Sequence, residues 1–103
     1  MIINLYGTNY NVEPVRSAYM VNDSLAVMLI DKDNGEDFAV ITVCLTNSYT
    51  PDGHAYVDTN NCPWVEKFIK DNDLGENTGI VGYSGYCQYP LYKFNLEKIP
   101  EVQ

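Results

Sequence analysis

Two β-rich runs, separated by a short polar turn, constrain this chain more than any other feature of its sequence. The runs occupy residues 25–30 and 38–45, and Asn34-Gly35 lies between them. Asn-Gly in that position favours a type I′ hairpin, because both central residues of that turn take a positive φ. The sequence therefore predicts two paired antiparallel strands at the centre of the fold.

The register of this hairpin follows from where it closes. A turn at Asn34-Gly35 puts Leu29 opposite Val40, and Val27 opposite Thr42. Both strands are apolar on both faces, which is typical of central strands covered on each side. One cover should be a helix, and the other should be the tyrosine-rich C-terminal segment or a second subunit.

The remaining strands are predicted from shorter signals. Residues 2–6 and 91–96 alternate between apolar and polar side chains, and residues 55–58 form a short β-rich run. Residues 10–19 contain Pro14, so they are expected to form an edge strand or a loop.

A helix is predicted after Pro63, which suits a first turn because its missing N–H would be unpaired there anyway. Asn60 or Asn61 can accept a hydrogen bond from the first-turn amides as an N-cap. The apolar stripe at helical spacing consists of Trp64, Val65, Phe68 and Ile69. Leu74-Gly75 is a stop signal, with glycine taking the left-handed position.

These elements predict an α+β fold with a mainly antiparallel sheet and one principal α-helix, in a single compact domain over residues 1–103. Three cysteines without close spacing are typical of a reducing compartment rather than a disulfide framework. The N-terminus lacks a basic region and a long apolar run, so no signal peptide is expected. The predicted location is the cytoplasm.

Charge narrows the classes of partner. Fourteen acidic and six basic residues give a net charge of −8, which argues against direct nucleic-acid binding and against anionic membranes. One acidic cluster comprises Asp31, Asp33, Glu36 and Asp37. A second comprises Asp71, Asp73 and Glu76. Such clusters are either a solvated surface or a surface complementary to a basic protein partner.

Tyrosine is the other unusual component, with nine in the chain. Tyr83, Tyr86 and Tyr89 lie close together in sequence. Tyrosine is enriched in binding surfaces, and it also covers small cores with its hydroxyl in water. As binding residues, these side chains would contact arginine and lysine of a partner through cation–π interactions, beside the ion pairs made by the acidic groups.

A catalytic interpretation is weaker. His54, Asp58 and Cys62 contain the groups of a cysteine nucleophile with a base and an orienting acid. A helix N-terminus would lower the pKa of Cys62 and make it the most reactive thiol. A small residue at the helix entry is the simpler interpretation. The sequence has no zinc-ligand spacing, and it predicts no catalytic residue, no cofactor and no metal.

Three segments carry a family resemblance: "GEDFAVITVCLTN", "AYVDTNNCPWVEKFIKDNDLG" and "SGYCQYPLYKFNL". Together they resemble a small family common on phage and mobile elements of gut bacteria. Members of what looks like this group are anti-CRISPR inhibitors of the type II RNA-guided DNA nuclease. The resemblance covers nearly the whole chain and brings no catalytic motif with it.

The resemblance implies a stoichiometric nuclease inhibitor in the cytoplasm of the bacterial host. From the charge and tyrosine content, we expect such an inhibitor to bind through the two acidic clusters and the three tyrosines, and a homodimer is compatible with it. The alternative function is a non-catalytic accessory or adaptor protein of a mobile element that acts through other protein contacts.

Overall fold

Two four-stranded antiparallel sheets and one α-helix make up the fold. The computed structural model describes residues 1–102. The first sheet has the strand order β1-β2-β3-β4, and the second has the order β5-β6-β8-β7. The elements are β1 Ile2–Leu5, β2 Thr8–Ala18, β3 Leu25–Asp31, β4 Asp37–Val40, β5 Thr42–Val43, β6 His54–Val57, α1 Val65–Asp71, β7 Gly75–Ser84, β8 Cys87–Phe94 and a 3-10 helix Leu96–Lys98. The predicted α+β fold with mainly antiparallel strands and one α-helix is confirmed.

The two sheets join at Ile41. Its N–H donates to the Val27 carbonyl at 3.0 Å, and its carbonyl accepts from the Asp58 N–H at 2.8 Å. The Val27 N–H donates to the hydroxyl of Thr42 at 3.1 Å. The Ile41 side chain is also fully buried. Hydrogen bonds and burial together hold this residue in the core between the two sheets. The continuous strand predicted over residues 38–45 is therefore wrong, and that run supplies β4 to one sheet and β5 to the other.

The turn between β3 and β4 is longer than the predicted type I′ turn. Gly35 has a φ of +74°, whereas Asn34 is not among the residues with positive φ. The turn closes through the Asp31 N–H to the Glu36 carbonyl and through the Gly35 N–H to the Asp31 carbonyl, both at 2.8 Å. A type I′ turn requires positive φ at both central residues. In this turn only Gly35 of the two predicted residues has it.

The longer turn changes the register. Leu29 lies opposite Ala39, and Met28 lies opposite Val40, one position from the predicted pairs. An irregularity between Leu29 and Ile30 shifts the register by one further position next to the turn, where Ile30 lies opposite Asp37. β4 is the edge of its sheet, so the prediction that both strands are central holds only for β3.

β2 is an interior strand of 11 residues although it contains Pro14. On the β1 side, the Val12 N–H donates to Met1 and the Arg16 N–H donates to Pro100. Alternation along a strand places the nitrogen of Pro14 on that same side, between these two partners. No donor is required there, so proline does not interrupt the pairing with β3. The expectation of an edge strand or a loop is wrong for this reason.

The helix carries the predicted apolar stripe. Val65, Phe68 and Ile69 are buried, and Trp64 is half-buried against Phe68 at a ring distance of 6.1 Å. These side chains belong to one core with residues of both sheets, including Leu29. The helix therefore closes the main core, as predicted.

Both ends of the helix differ from the prediction. The residue at the N-cap is Trp64, which makes no side-chain cap. Asn61 instead donates its backbone N–H (3.0 Å) and its side-chain amide (2.9 Å) to the Asp58 carboxylate, one turn earlier. At the other end, Asp73 takes the left-handed conformation with a φ of +52°. Gly75 begins β7, where a Cβ would lie 2.7 Å from the Lys93 carbonyl oxygen. Glycine is required there by a close approach.

A second, smaller core lies under the distal half of the β7–β8 hairpin. It consists of Leu45, Tyr56, Tyr89 and Leu91. β7 itself was not predicted, because its glycines and polar residues obscure a strand pattern. Gly82 is the one buried residue within β7. A Cβ at this position would lie 2.6 Å from both Leu45 and Tyr56, so there is no room for a side chain.

Candidate functional site

The acidic hairpin is the turn that carries Asp31, Asp33, Glu36 and Asp37 between β3 and β4. Two side chains of the turn fix its backbone: the Asp31 carboxylate accepts from the Asp33 N–H at 2.8 Å, and Asn34 Oδ1 accepts from the Glu36 N–H at 2.9 Å. Such bonds from Asp and Asn stabilise turns locally. The structure therefore brings all four predicted acidic residues together on one ordered turn.

These carboxylates form no ion pair within residues 1–102. Asp33, Glu36 and Asp37 are exposed, and Asp31 is half-buried. Lys32 is the one basic residue within the turn, and within residues 1–102 no ion pair includes any of the four acids. Their charge is available to an external partner.

The second predicted acidic cluster is different, because lysines lie beside it. Asp71 pairs with Lys67, and Asp73 pairs with Lys98 at 3.1 Å. Glu76 lies opposite Lys93 in the register of β7 and β8. Each carboxylate thus has a cation of the same chain nearby, and this cluster offers little unbalanced charge.

The three predicted tyrosines divide between surface and core. Tyr86 is fully exposed at the β7–β8 turn, and Tyr83 is 55% exposed on β7. Tyr89 is 8% exposed and belongs to the second core. Its expected place on a contact surface is wrong, because its position in β8 turns the ring inward. Tyr83 and Tyr86 remain candidates for contact.

Sequence analysis missed two exposed apolar residues on the same strand. Ile80 is 56% exposed and Val81 is 41% exposed, next to Tyr83 on β7. A usable signal was present, since residues 77–92 contain no charged side chain. An uncharged segment that is mostly exposed is unusual on a chain of net charge −8.

The structure does not assemble a catalytic group from His54, Asp58 and Cys62. His54 is the first residue of β6 and Asp58 follows its last residue, so the two lie roughly 13 Å apart at the usual rise per residue. His54 Nδ1 contacts the Asp52 carbonyl at 2.8 Å, and the Asp58 carboxylate is occupied by Asn61. A base, an orienting acid and a nucleophile must be within hydrogen-bond reach of one another.

Cys62 itself is buried, with its thiol 3.8 Å from the Val40 carbonyl. Burial raises the pKa of the Cys62 thiol, and the nearby Asp58 carboxylate raises it further. The expected lowering by a helix N-terminus is wrong, because the helix begins later, after Trp64. A thiol with a raised pKa is a poor nucleophile.

Tyr92 joins the helix to the sheet. Its hydroxyl donates to Glu66 Oε1 at 2.7 Å. Burial, followed by this hydrogen bond, raises the pKa of Tyr92 to about 12. The neutral phenol is therefore favoured in the folded protein, and the contact has a structural role.

A cavity of about 580 Å³ lies beside the only arginine, Arg16. Arg16 is paired loosely with Glu101 at 3.9 Å, and the acids Asp23 and Asp52 also line the cavity. Three carboxylates around one guanidinium disfavour an anionic cofactor. Within residues 1–102, no group of three or more His, Cys, Asp or Glu is arranged to hold a metal ion.

The chain belongs to a family defined by a domain of unknown function, DUF4313, whose model matches residues 15–103. No curated protein and no solved structure matches the chain. Across residues 1–102, no helix has the length and apolar character needed to cross a membrane.

Proposed function

We propose that this protein is a stoichiometric inhibitor that binds a basic surface of a partner protein through its acidic hairpin. The observation that carries the proposal is the set of four carboxylates on one ordered turn, none of them in an ion pair within the described residues. A turn held by its own side chains presents these charges with little loss of conformational entropy on binding.

The partner we propose is the type II RNA-guided DNA nuclease, in the cytoplasm of the bacterial host. That nuclease holds its guide and target strands in positively charged channels. An acidic hairpin complements such a channel, and it would obstruct DNA entry or a conformational step of the nuclease. The family resemblance of the sequence supplies this target, and the charge of the hairpin supports it.

Exposed tyrosine would add to the contact. Tyr86 projects from the β7–β8 turn with its whole ring in solvent. Aromatic anchors of this kind act mainly on the dissociation rate, whereas charges at the rim of an interface act mainly on the association rate. The two contributions are therefore separable by kinetics.

The buried, high-pKa thiol of Cys62 favours inhibition by binding over inhibition by chemistry. Replacing Cys62 by serine should leave inhibition intact. A loss of inhibition in a folded variant would support an enzyme instead.

The direct test is cleavage of a target DNA by the purified, guide-loaded nuclease with and without this protein. The variant D31N/D33N/E36Q/D37N removes the acidic hairpin, and D71N/D73N/E76Q/E97Q is its matched control. Both variants remove four negative charges, so the net charge changes equally. Because exposed carboxylates contribute little to stability, neither variant should shift the melting temperature much.

We expect wild-type protein and the control to inhibit cleavage. The hairpin variant should associate with the nuclease about tenfold more slowly than wild type, or more slowly still. Binding by the wild type should weaken between low and high salt, because screening reduces steering between opposite charges. No effect of the wild type on cleavage would overturn the nuclease target and leave an accessory or adaptor role. Inhibition that is insensitive to both the acids and salt would overturn the charge mechanism.

A further inference from the structure

The outer edge of β7 is long and uncovered, and it is uncharged from residue 77 onwards. β7 ends its sheet and has 10 residues, whereas the other edge strands β1, β4 and β5 have four, four and two. Proteins normally protect a sheet edge with short strands, charges, proline or β-bulges. The one irregularity of β7 lies between Asn77 and Val81, before the regularly paired residues 81–84. Residues 77–86 contain no charged side chain and no proline, and nearly all of β7 is exposed.

The backbone groups of this edge can be assigned from the hairpin. Ser84 and Cys87 flank the two-residue turn Gly85-Tyr86, in which Gly85 has a φ of +58°. Residues that flank a two-residue turn exchange both backbone hydrogen bonds. Alternation then points the N–H and C=O groups of Tyr83 and Val81 away from β8. Both residues present a donor and an acceptor to whatever strand lies beside β7.

We propose that this edge pairs with the same edge of a second copy of the chain, in antiparallel orientation about a two-fold axis at Gly82. This register places Val81 of each copy opposite Tyr83 of the other. Both are outward-bonding residues, so four backbone hydrogen bonds form around the axis. It also creates two pairs of an aromatic with a β-branched side chain, which are favourable across strands.

Charge selects a second copy as the occupant. Each copy carries a net charge of −8, so two copies repel one another over most of their surfaces. The uncharged segment at residues 77–92 is the longest in the chain, and it lets two copies meet without opposing like charges. A basic partner has no charge to pair with on this edge and would be attracted to the acidic hairpin instead.

Pairing about a two-fold axis covers the β7 edge of both copies. Only the short edge strands β1, β4 and β5 of each copy then stay unpaired. The assembly is therefore a closed dimer and not a filament. It uses none of the four acids of the acidic hairpin, so it can be tested separately from nuclease binding.

The test is sedimentation velocity over a range of protein concentrations at low and high salt. The wild type should shift from an 11.7 kDa species to twice that mass as concentration rises. Higher salt should tighten the dimer, because it screens the repulsion between two acidic copies. That response has the opposite sign to the salt response of binding through the acidic hairpin.

Two double variants test whether Val81 of one copy lies opposite Tyr83 of the other. In V81K/Y83K, lysine faces lysine across the axis, while in V81K/Y83E lysine faces glutamate. We expect the dissociation constant of V81K/Y83K to be higher than that of V81K/Y83E by about tenfold, from two like-charge pairs against two opposite-charge pairs. General repulsion works against this result, because V81K/Y83K has the smaller net negative charge.

Circular dichroism should show that both variants are folded. A wild type that stays at 11.7 kDa up to about 1 mM overturns the proposal. A dimer that both variants weaken equally, or not at all, overturns the β7 pairing. A monomeric wild type whose nuclease binding is lost in both variants would show that the edge accepts a strand of the partner instead.

Discussion

The β3–β4 and β7–β8 hairpins are built on the same principle but present opposite chemistries. The acidic hairpin joins strands of seven and four residues through a turn fixed by Asp31 and Asn34, and its carboxylates are in no ion pair within residues 1–102. The β7–β8 hairpin has long strands, a tight turn at Gly85, and no charge from residue 77 to residue 92. The acidic hairpin is suited to an oppositely charged surface, and the outer edge of β7 is suited to an uncharged one.

The two hairpins also rest on different parts of the core. Phe38, beside the acidic hairpin, packs on Tyr10 at 5.0 Å and on Trp64 at 6.2 Å, and so belongs to the main core. The distal half of β7–β8 rests on the second core around Tyr89. The two hairpins, which we propose as interaction surfaces, thus rest on separate parts of the core. Two substitutions test how separate these supports are, and a third tests the turn of the acidic hairpin.

Phe68→Ala should have the largest effect. Phe68 is buried, and Trp64, which touches Phe38, packs against it edge-on. Truncating a buried phenylalanine costs about 3–5 kcal/mol of the free energy of unfolding. Denaturant unfolding measures this loss, and Tyr86→Ala, at a fully exposed position, should change it by less than about 0.5 kcal/mol.

Hydrogen exchange of Phe68→Ala shows which hairpin depends on the main core. Amides of β4 should lose more protection than the amides of Gly82 and Tyr89, because the aromatic contacts next to β4 are loosened first. Equal losses at both hairpins would show that the cores unfold as one unit, and the two supports would then not be separate.

Gly82→Ala should have an intermediate effect on the other hairpin. A Cβ at residue 82 would lie 2.6 Å from Leu45 and from the Tyr56 ring, both buried in the second core. Overpacking of this kind costs about 1–3 kcal/mol. Ser84→Ala, on the same strand and exposed, is the control in the same thermal unfolding experiment. If Gly82→Ala were as stable as wild type, the second core would be loosely packed and a poor support for an interface.

Sequence patterns predicted the elements whose signal is local. The helical stripe of Val65, Phe68 and Ile69 was sufficient because the period of a helix is readable over two turns. The break at Ile41 was not readable, since the run around it is apolar throughout and the break depends on hydrogen bonds to Val27 and Asp58. Likewise β7 is a strand because β8 pairs with it, and its own residues do not favour one.

The candidate site divides in the same way. The four acids of the acidic hairpin are close in sequence, so their grouping was predictable. The neutralisation of Asp73 was not, because Lys98 lies far along the chain and reaches it only in the folded protein. The burial of Tyr89 depends on the phase of β8, which begins at Cys87 and includes Pro90, whereas the sequence predicts a strand only from residue 91.

Gly35→Ala should have the smallest effect, and it tests the turn that orders the acidic hairpin. Gly35 has a φ of +74°, and a Cβ there would meet nothing within 4 Å. The loss therefore comes from the left-handed backbone alone and should be about 1 kcal/mol. Gly35→Asn is the matched variant, because asparagine tolerates this conformation better than alanine does. Thermal unfolding should rank wild type above Gly35→Asn and Gly35→Asn above Gly35→Ala. If the alanine variant matched wild type, residue 35 would not be held in the left-handed region. The turn would then be mobile, and the acidic hairpin would lose its advantage of presenting four carboxylates already ordered for a basic partner.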